Sequence, residues 1–283
     1  PPGWCVITAR AAGTALADGG LDAPVLNAWA GALAGLHRAG LTQTDPHLGN
    51  FLWDGSRLTL LDPGGVRRAP WLRGWGVGWA APARRALAHA AAELPVTVHA
   101  RVPALALAYA QARGWPAPGL RAGFDDALAR ARRRRARRYA RKSRRPCREF
   151  DAGYIGAWAY ALDRRYDGPE LRALLADPDA AFGAQARWLK QGRSAQVVRV
   201  DLPGGPAVFK RFVARDPLRA LRRAWRPTRA AQAWNAALAL TLFGVPTAAP
   251  IGLLEPRPGL CRRAYLLTAW VDVVPFDQAP DPA

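Results

Sequence analysis

Apolar positions recur every three to four residues across 24–38, where Val25, Leu26, Trp29, Leu33 and Leu36 share one stripe. That period predicts an amphipathic helix, and Gly40 reads as its C-terminal stop. A polar loop containing Asp45 follows. Phe51 to Trp53 and Leu58 to Leu61 are short apolar runs around Asp54-Gly55, which predicts two strands joined at a hairpin turn. From about 69 to 145 the pattern is helical, over residues 83–94, 102–113 and 124–141, with breaks at Gly114-Trp115-Pro116 and Pro118-Gly119.

Residues 146–185 are mixed. Pro146, Pro169 and Pro178 read as turns, with one short helix near 169–175, and the segment is expected to be a linker. From 186 the period changes to two. Val198, Val200 and Leu202 alternate, Pro203-Gly204-Gly205-Pro206 is a turn, and 207–212 is a second strand carrying Lys210. Residues 228–243 are helical, with Ala231, Trp234, Leu238 and Leu242 on one face and Gly244 and Pro246 at the end. A further strand is expected at 264–271. The pattern predicts an α+β chain: a mostly helical part first, at 1–145, then an antiparallel-sheet part with one helix at 186–276, and a tail at 277–283.

Residues 4–10 (Trp-Cys-Val-Ile-Thr-Ala-Arg) also read as a strand, and they resemble 264–270 (Ala-Tyr-Leu-Leu-Thr-Ala-Trp). The chain would then run from one copy of an element to the next, starting mid-period. It is expected to be a piece of a tandem or a circular permutation. The absence of methionine, even at position 1, favours the piece.

Half of the 283 residues are apolar, enough for a sizeable core. No apolar run reaches the roughly 18 residues that span a bilayer. Cys5, Cys147 and Cys261 lie far apart, without metal-ligand spacing or a disulfide framework, which points to a reducing compartment. The formal charge is +20, which calls for an anionic partner. Twelve of the nineteen positions from Arg130 to Arg148 are basic. That run is either a solvated helix face or a dock for an anionic membrane surface. Nucleic acid is the weaker expectation, because the run lacks interleaved aromatics. Only Lys142, Lys190 and Lys210 are lysines among the 41 basic residues, so a lysine inside an apolar strand is informative.

The chemistry concentrates in Asp45-Pro46-His47-Leu48-Gly49-Asn50 and in Asp62, which follows the apolar run 58–61. An Asp five residues before an Asn, with a second Asp after a short strand, is how a kinase-like fold builds a Mg-ATP site. One carboxylate faces the acceptor hydroxyl, while the Asn and the second Asp hold the metal. The ordinary alternative is a turn with Asx caps. His47 reads as a brace for the loop, and His37, His89 and His99 as ordinary.

Leu36-His37-Arg38-Ala39-Gly40-Leu41-Thr42-Gln43-Thr44-Asp45, with His47, Gly49 and Asn50, resembles the bacterial lipopolysaccharide core kinases, the Kdo/heptose kinase family. So do 228–236 and 244–250. The resemblance covers most of 4–75 and 186–272. It implies a protein-kinase-like fold with its large lobe first. It implies Asp45 as the catalytic carboxylate, Asn50 and Asp62 as Mg2+ ligands and Lys210 on the ATP phosphates. Lys190 and Gly192 would lie in a phosphate-covering turn between two strands. It further implies a lipopolysaccharide core or other sugar as acceptor, in the cytoplasm and peripheral to the inner membrane. Gln43 and Pro63 depart from the usual His and Phe, the turn at Gly192 has one glycine, and no Asp or Glu occurs between Asp216 and Glu255 to pair with Lys210. A degenerate kinase-like module that binds nucleotide or a partner without transfer is the alternative these departures motivate.

Overall fold

The computed structural model describes residues 11–74, 77–213, 227–256 and 263–272. The strand expected at 4–10, Cys5 and Cys261 lie outside the described residues. The chain is α+β and divides into two units, Pro1–Arg135 and Ala136–Ala283.

In the first unit the order is β1 (Thr14–Ala15), α1 (Ala23–Arg38), β2 (Leu41–Gln43), β3 (Phe51–Trp53), β4 (Leu58–Leu60), β5 (Val66–Arg68), α2 (Val77–Ala91), α3 (Val102–Arg113), α4 (Ala117–Arg121) and α5 (Phe124–Lys142), which runs past the unit's end. The Asp22 carboxylate caps α1 by accepting from the Val25 amide at 3.2 Å, a contact of the kind that contributes about 1 kcal/mol. The stripe read from the sequence is the buried one: Val25, Leu26, Trp29 and Leu33 lie in the core. Gly40, with φ 71°, turns the chain out of the helix in the left-handed region. Trp29 meets Phe51 edge-on at 5.8 Å between centroids, which seats β3 on α1.

Two expectations here are corrected. Residues 41–43, expected as loop, pair with 66–68 as antiparallel strands, Gln43 opposite Val66. They are too short for a period of two to be visible. Asp54-Gly55 is not a two-residue turn. Trp53 pairs with Leu58, so four residues close the hairpin, and the Asp54 carboxylate accepts from the Ser56 and Arg57 amides.

A buried polar chain ties α1 to α3. Arg113 donates to the Leu72 carbonyl at 2.7 Å and to the Tyr109 hydroxyl at 3.3 Å. That hydroxyl donates to Nδ1 of His37 at 2.6 Å. Burial, with the Arg113 charge beside it, holds the His37 pKa down to about 4, so the ring is neutral.

The second unit contains β6 (Phe150–Ile155), β7 (Trp158–Asp163), α6 (Pro169–Ala176), β8 (Arg187–Gln191), β9 (Ala195–Leu202), β10 (Gly205–Val213), α7 (Arg229–Leu242), β11 (Pro250–Pro256) and β12 (Arg263–Ala269). The strands form one antiparallel sheet in the order β6-β7-β11-β12-β10-β9-β8. Residues 146–185 are therefore not a linker. They supply two sheet strands and α6, and β7 pairs with β11 along Gly252 to Pro256. Prolines at either end hid these strands, and Ala and Gly weaken their alternation.

The sheet is covered on both faces, so its strands are apolar on both sides. Leu171, Leu175 and Phe182 pack with Phe209, Tyr265 and Leu267 on one face. Trp234, Ala231 and Leu238 of α7 pack with Phe212, Leu253 and Leu266 on the other. Trp234 is fully buried, and its indole N–H donates to the buried Ser143 hydroxyl at 2.9 Å.

Candidate active site

The loop after β2 is shaped by hydrogen bonds that leave its carboxylates facing outward. The β2–β5 ladder continues where the Thr44 amide donates to the Gly65 carbonyl at 2.9 Å. That bond places the loops holding Asp45 and Asp62 side by side. The Gln43 side chain, 4% exposed, spans them. Its Nε2 donates to the Asp62 carbonyl at 2.9 Å, and its Oε1 accepts from the Asp45 amide at 3.1 Å. A Cβ at Gly65 would land on the Gln43 amide group, so glycine is required for this approach.

Asn50 is fixed from two directions. Its Nδ2 donates to the Asp45 carbonyl at 3.1 Å, and its own carbonyl accepts from the Leu61 amide at 2.8 Å. The Asp45, Asn50 and Asp62 positions thus converge within the first unit. Asp62 Oδ1 accepts from the Gly64 amide at 2.9 Å. No hydrogen bond among the described residues engages the other Asp62 oxygen, the Asn50 amide oxygen or the Asp45 carboxylate. Asp45 and Asp62 are exposed and Asn50 is half-buried. His47 braces the loop as expected, its Nδ1 accepting from the Gly49 amide at 3.0 Å. His89, expected to be ordinary, holds the loop from α2 through Nε2 to the Thr44 carbonyl at 3.1 Å.

A cavity of about 390 Å3 opens beside this loop, lined by His47, Leu48, Glu93, Thr97, Val98 and Arg135 among others. Arg135 and Glu93 form an ion pair across it at 2.7 Å, with both side chains largely buried.

In the second unit, Lys210 stands on the α7 face of β10. It is paired across the ladder with Val197, which is itself paired with Lys190, so the two lysines lie in one row of the sheet. The Lys210 ammonium sits 5.0 Å from the Phe212 ring centroid. Burial, then the charges of Arg229 and Lys190, lowers its pKa below the ordinary lysine value. No carboxylate pairs with it among the described residues. Gly192 closes the β8–β9 turn. Its amide donates to the Ala195 carbonyl at 3.1 Å, and a Cβ there would lie 2.7 Å from that oxygen. The Gly192 N–H is therefore occupied by its own turn.

Along α5 the basic run divides. Arg130, Arg133, Arg134, Arg137, Arg138 and Arg141 are exposed, while Phe124, Ala127, Leu128 and Ala131 are buried. The exposed positions fall at helical spacings of three and four, which is one face. Among the described residues no helix is long and apolar enough to cross a membrane.

No family model matches the chain, and no curated protein or solved structure matches it. Sequence reasoning missed Gln43 as the bridge between the two loops, although its place two residues before Asp45 was in view. It also missed Arg229, whose guanidinium lies 5.1 Å from the Phe212 centroid. The missing acid on α7 was the signal, because a basic residue held near Lys210 is what an acid-free site accommodates.

Proposed function

We propose that this protein is a Mg-ATP-dependent phosphotransferase of protein-kinase-like fold, resembling the lipopolysaccharide core sugar kinases and acting on a sugar hydroxyl. The observation that carries this is the convergence of Asp45, Asn50 and Asp62 through Gln43, with their ligating oxygens left free. An ordinary Asx-capped loop has no need of a buried amide joining two separate carboxylate-bearing turns. The second unit supports the same reading: a glycine turn between two strands, a strand carrying a half-buried lysine, then a helix and further strands.

Among the described residues no three His, Cys, Asp or Glu side chains gather as a metal cage. The loop offers instead an oxygen set of two carboxylates and one amide. That set fits Mg2+, a hard cation that protein commonly holds by one or two carboxylates while water and phosphate oxygens complete the shell. Asn50 and Asp62 would hold it, and the ion would neutralise charge on the phosphates.

Asp45 orients the acceptor hydroxyl and takes its proton as the oxygen bonds to the γ-phosphorus. The bond from that phosphorus to the β-bridging oxygen breaks, and ADP leaves. Lys210 and Lys190 meet the phosphates. Most of the rate gain in such a reaction comes from positioning and electrostatics. The cavity beside His47 is the place for the acceptor, at about 390 Å3 large enough for a sugar ring. The exposed arginines of α5 meet an anionic membrane surface, consistent with a peripheral, cytoplasmic enzyme.

Asp45→Asn is the test. Transfer to a lipopolysaccharide core acceptor should fall by about a thousandfold or more, with Mg-ATP affinity by calorimetry unchanged. Retained turnover would overturn the reading. ATP binding by the unaltered protein with no transfer to any core sugar would favour a nucleotide-binding module.

A further inference from the structure

We propose that Arg229 is a phosphate-binding residue that stands in place of an acidic partner for Lys210. With Lys210 and Lys190 it forms a three-cation grip for a polyphosphate chain, and this inference rests on the phosphotransferase reading above.

The three cations are brought together by the fold. Lys190 and Lys210 flank Val197 in one row, on the face that α7 covers. Phe212, two residues along β10 from Lys210, points to the same face. Its ring takes the Lys210 ammonium at 5.0 Å and the Arg229 guanidinium at 5.1 Å. Arg229 also donates to the Ser194 carbonyl at 3.3 Å, which carries it to the β8–β9 turn. One aromatic ring and one turn thus hold two cations that repel each other, with a third in the same row.

No ion pair among the described residues involves Lys210, Lys190 or Arg229. Arg229 is the first residue of α7, where the helix dipole disfavours a cation and favours an anion. Burial and mutual repulsion act together on Lys210, lowering its pKa. A single phosphate would leave net positive charge, whereas a di- or triphosphate brings charge enough for all three. Arg229, exposed and forked, suits a phosphate bidentately, and Lys210 suits it as a point charge. With no carboxylate paired to it among the described residues, Lys210 is ordered by the ligand itself.

The full-length protein is titrated with ATP, ADP, AMP and inorganic triphosphate. Arg229→Ala should weaken ATP and triphosphate at least tenfold and ADP less, and leave AMP nearly unchanged. Arg229→Lys should recover most of the loss, which a merely structural role would not predict. ATP and triphosphate affinities in Arg229→Ala unchanged from the unaltered protein, with loss in Lys210→Ala, would overturn the proposal and leave the phosphotransferase reading standing. Triphosphate binding that depends on Arg229 in a protein inactive on every sugar acceptor would support the grip while removing that reading. Binding of neither ATP nor triphosphate by the unaltered protein would overturn both.

Discussion

Gln43 donates to the backbone carbonyl of Asp62 at 2.9 Å, nineteen residues away, while its other amide atom holds the backbone of Asp45. One side chain therefore sets the separation of the two carboxylate-bearing loops. Because Gln43 is buried, removing its amide strands a carbonyl and an N–H that water reaches poorly. Gln43→Leu should cost about 1–3 kcal/mol of stability. It should also lower kcat by about tenfold to a hundredfold, because the carboxylates lose their mutual placement. The ATP KM should change little, since the proposed phosphate contacts are made by Lys210 and Lys190, which Gln43 does not touch. Thermal unfolding and steady-state kinetics on one preparation separate the two effects. Gly65→Ala should behave alike, as its Cβ displaces the same amide.

Asp62 and Asn50 should differ in their effect on metal. Asp62 keeps one carboxylate oxygen free after its bond to the Gly64 amide, and Asn50 presents a neutral amide oxygen. The charged ligand should matter more. Asp62→Asn should raise the Mg2+ concentration for half-maximal activity by at least about tenfold, and Asn50→Ala by less. Replacing Mg2+ with Mn2+, which takes the same oxygen ligands, should recover part of the loss. Activity titrated against metal concentration reads both variants. An Asn50 effect larger than the Asp62 effect would reverse the assignment of the main ligand.

The longer helices were legible because each buries one stripe over three or more turns. Trp29, Leu33, Trp234 and Leu238 were all placed by period alone. The hairpin carrying Lys210 was legible for the matching reason, Val198, Val200 and Leu202 alternating with Arg199 and Asp201 before the turn at 203–206. The β6–β7 hairpin was not, because a strand in a sheet covered on both faces does not alternate cleanly, and Ala159, Ala161 and Gly153 give little contrast. The candidate site was read as residue types at a spacing, Asp45 to Asn50 to Asp62, and the fold brings these positions together. What spacing does not carry is the pairing of β2 with β5, since long-range registry depends on three-residue strands. What Gln43 and Arg229 touch was not legible for the same reason. Each acts on residues that only the folded sheet brings near.

His37 should make stability depend on pH. In the unfolded chain its pKa is near the ordinary 6.5, and burial beside Arg113 holds it at about 4 in the folded protein. Above 6.5 the ring is neutral in both states and costs nothing. As pH falls from 6.5 towards 4 the unfolded state takes up a proton that the folded state refuses, so stability is lost across that window. The full difference is about 3 kcal/mol. Denaturant unfolding between pH 7 and pH 4 should show this loss, and His37→Gln should flatten the slope while lowering stability at pH 7. A wild-type slope unchanged in the variant would place the proton uptake elsewhere.

The cavity beside His47 should be specific to the acceptor. Thr97 is exposed at its rim, so a larger side chain there fills the cavity without disturbing the core. Thr97→Trp should raise the KM for the sugar acceptor by about tenfold or more, with the ATP KM unchanged, because only one substrate's space is taken. A rise in both would mean that the nucleotide occupies this cavity. Glu93→Gln should give a smaller effect of the same kind, by leaving the Arg135 guanidinium without the charge it now faces.

The exposed face of α5 should govern attachment to membranes. Arg133, Arg134, Arg137 and Arg138 occupy successive turns on the solvent side, while Arg132 and Arg135 are engaged with His99 and Glu93. The first four are thus free to meet an anionic surface, and the latter two serve the unit's own structure. Near an acidic surface each arginine contributes about 1 kcal/mol, so replacing the four with Gln should weaken binding to phosphatidylglycerol vesicles by about a thousandfold. Binding to neutral phosphatidylcholine vesicles should be weak for both proteins. Raising the salt should weaken the wild type steeply and the variant little, since screening acts on charges lying within a Debye length of the lipid. Transfer to a soluble sugar acceptor should be unchanged in the variant, as none of the four lines the cavity or the loop. Equal sedimentation of the two proteins with the anionic vesicles would show that the arginines are a solvated face only.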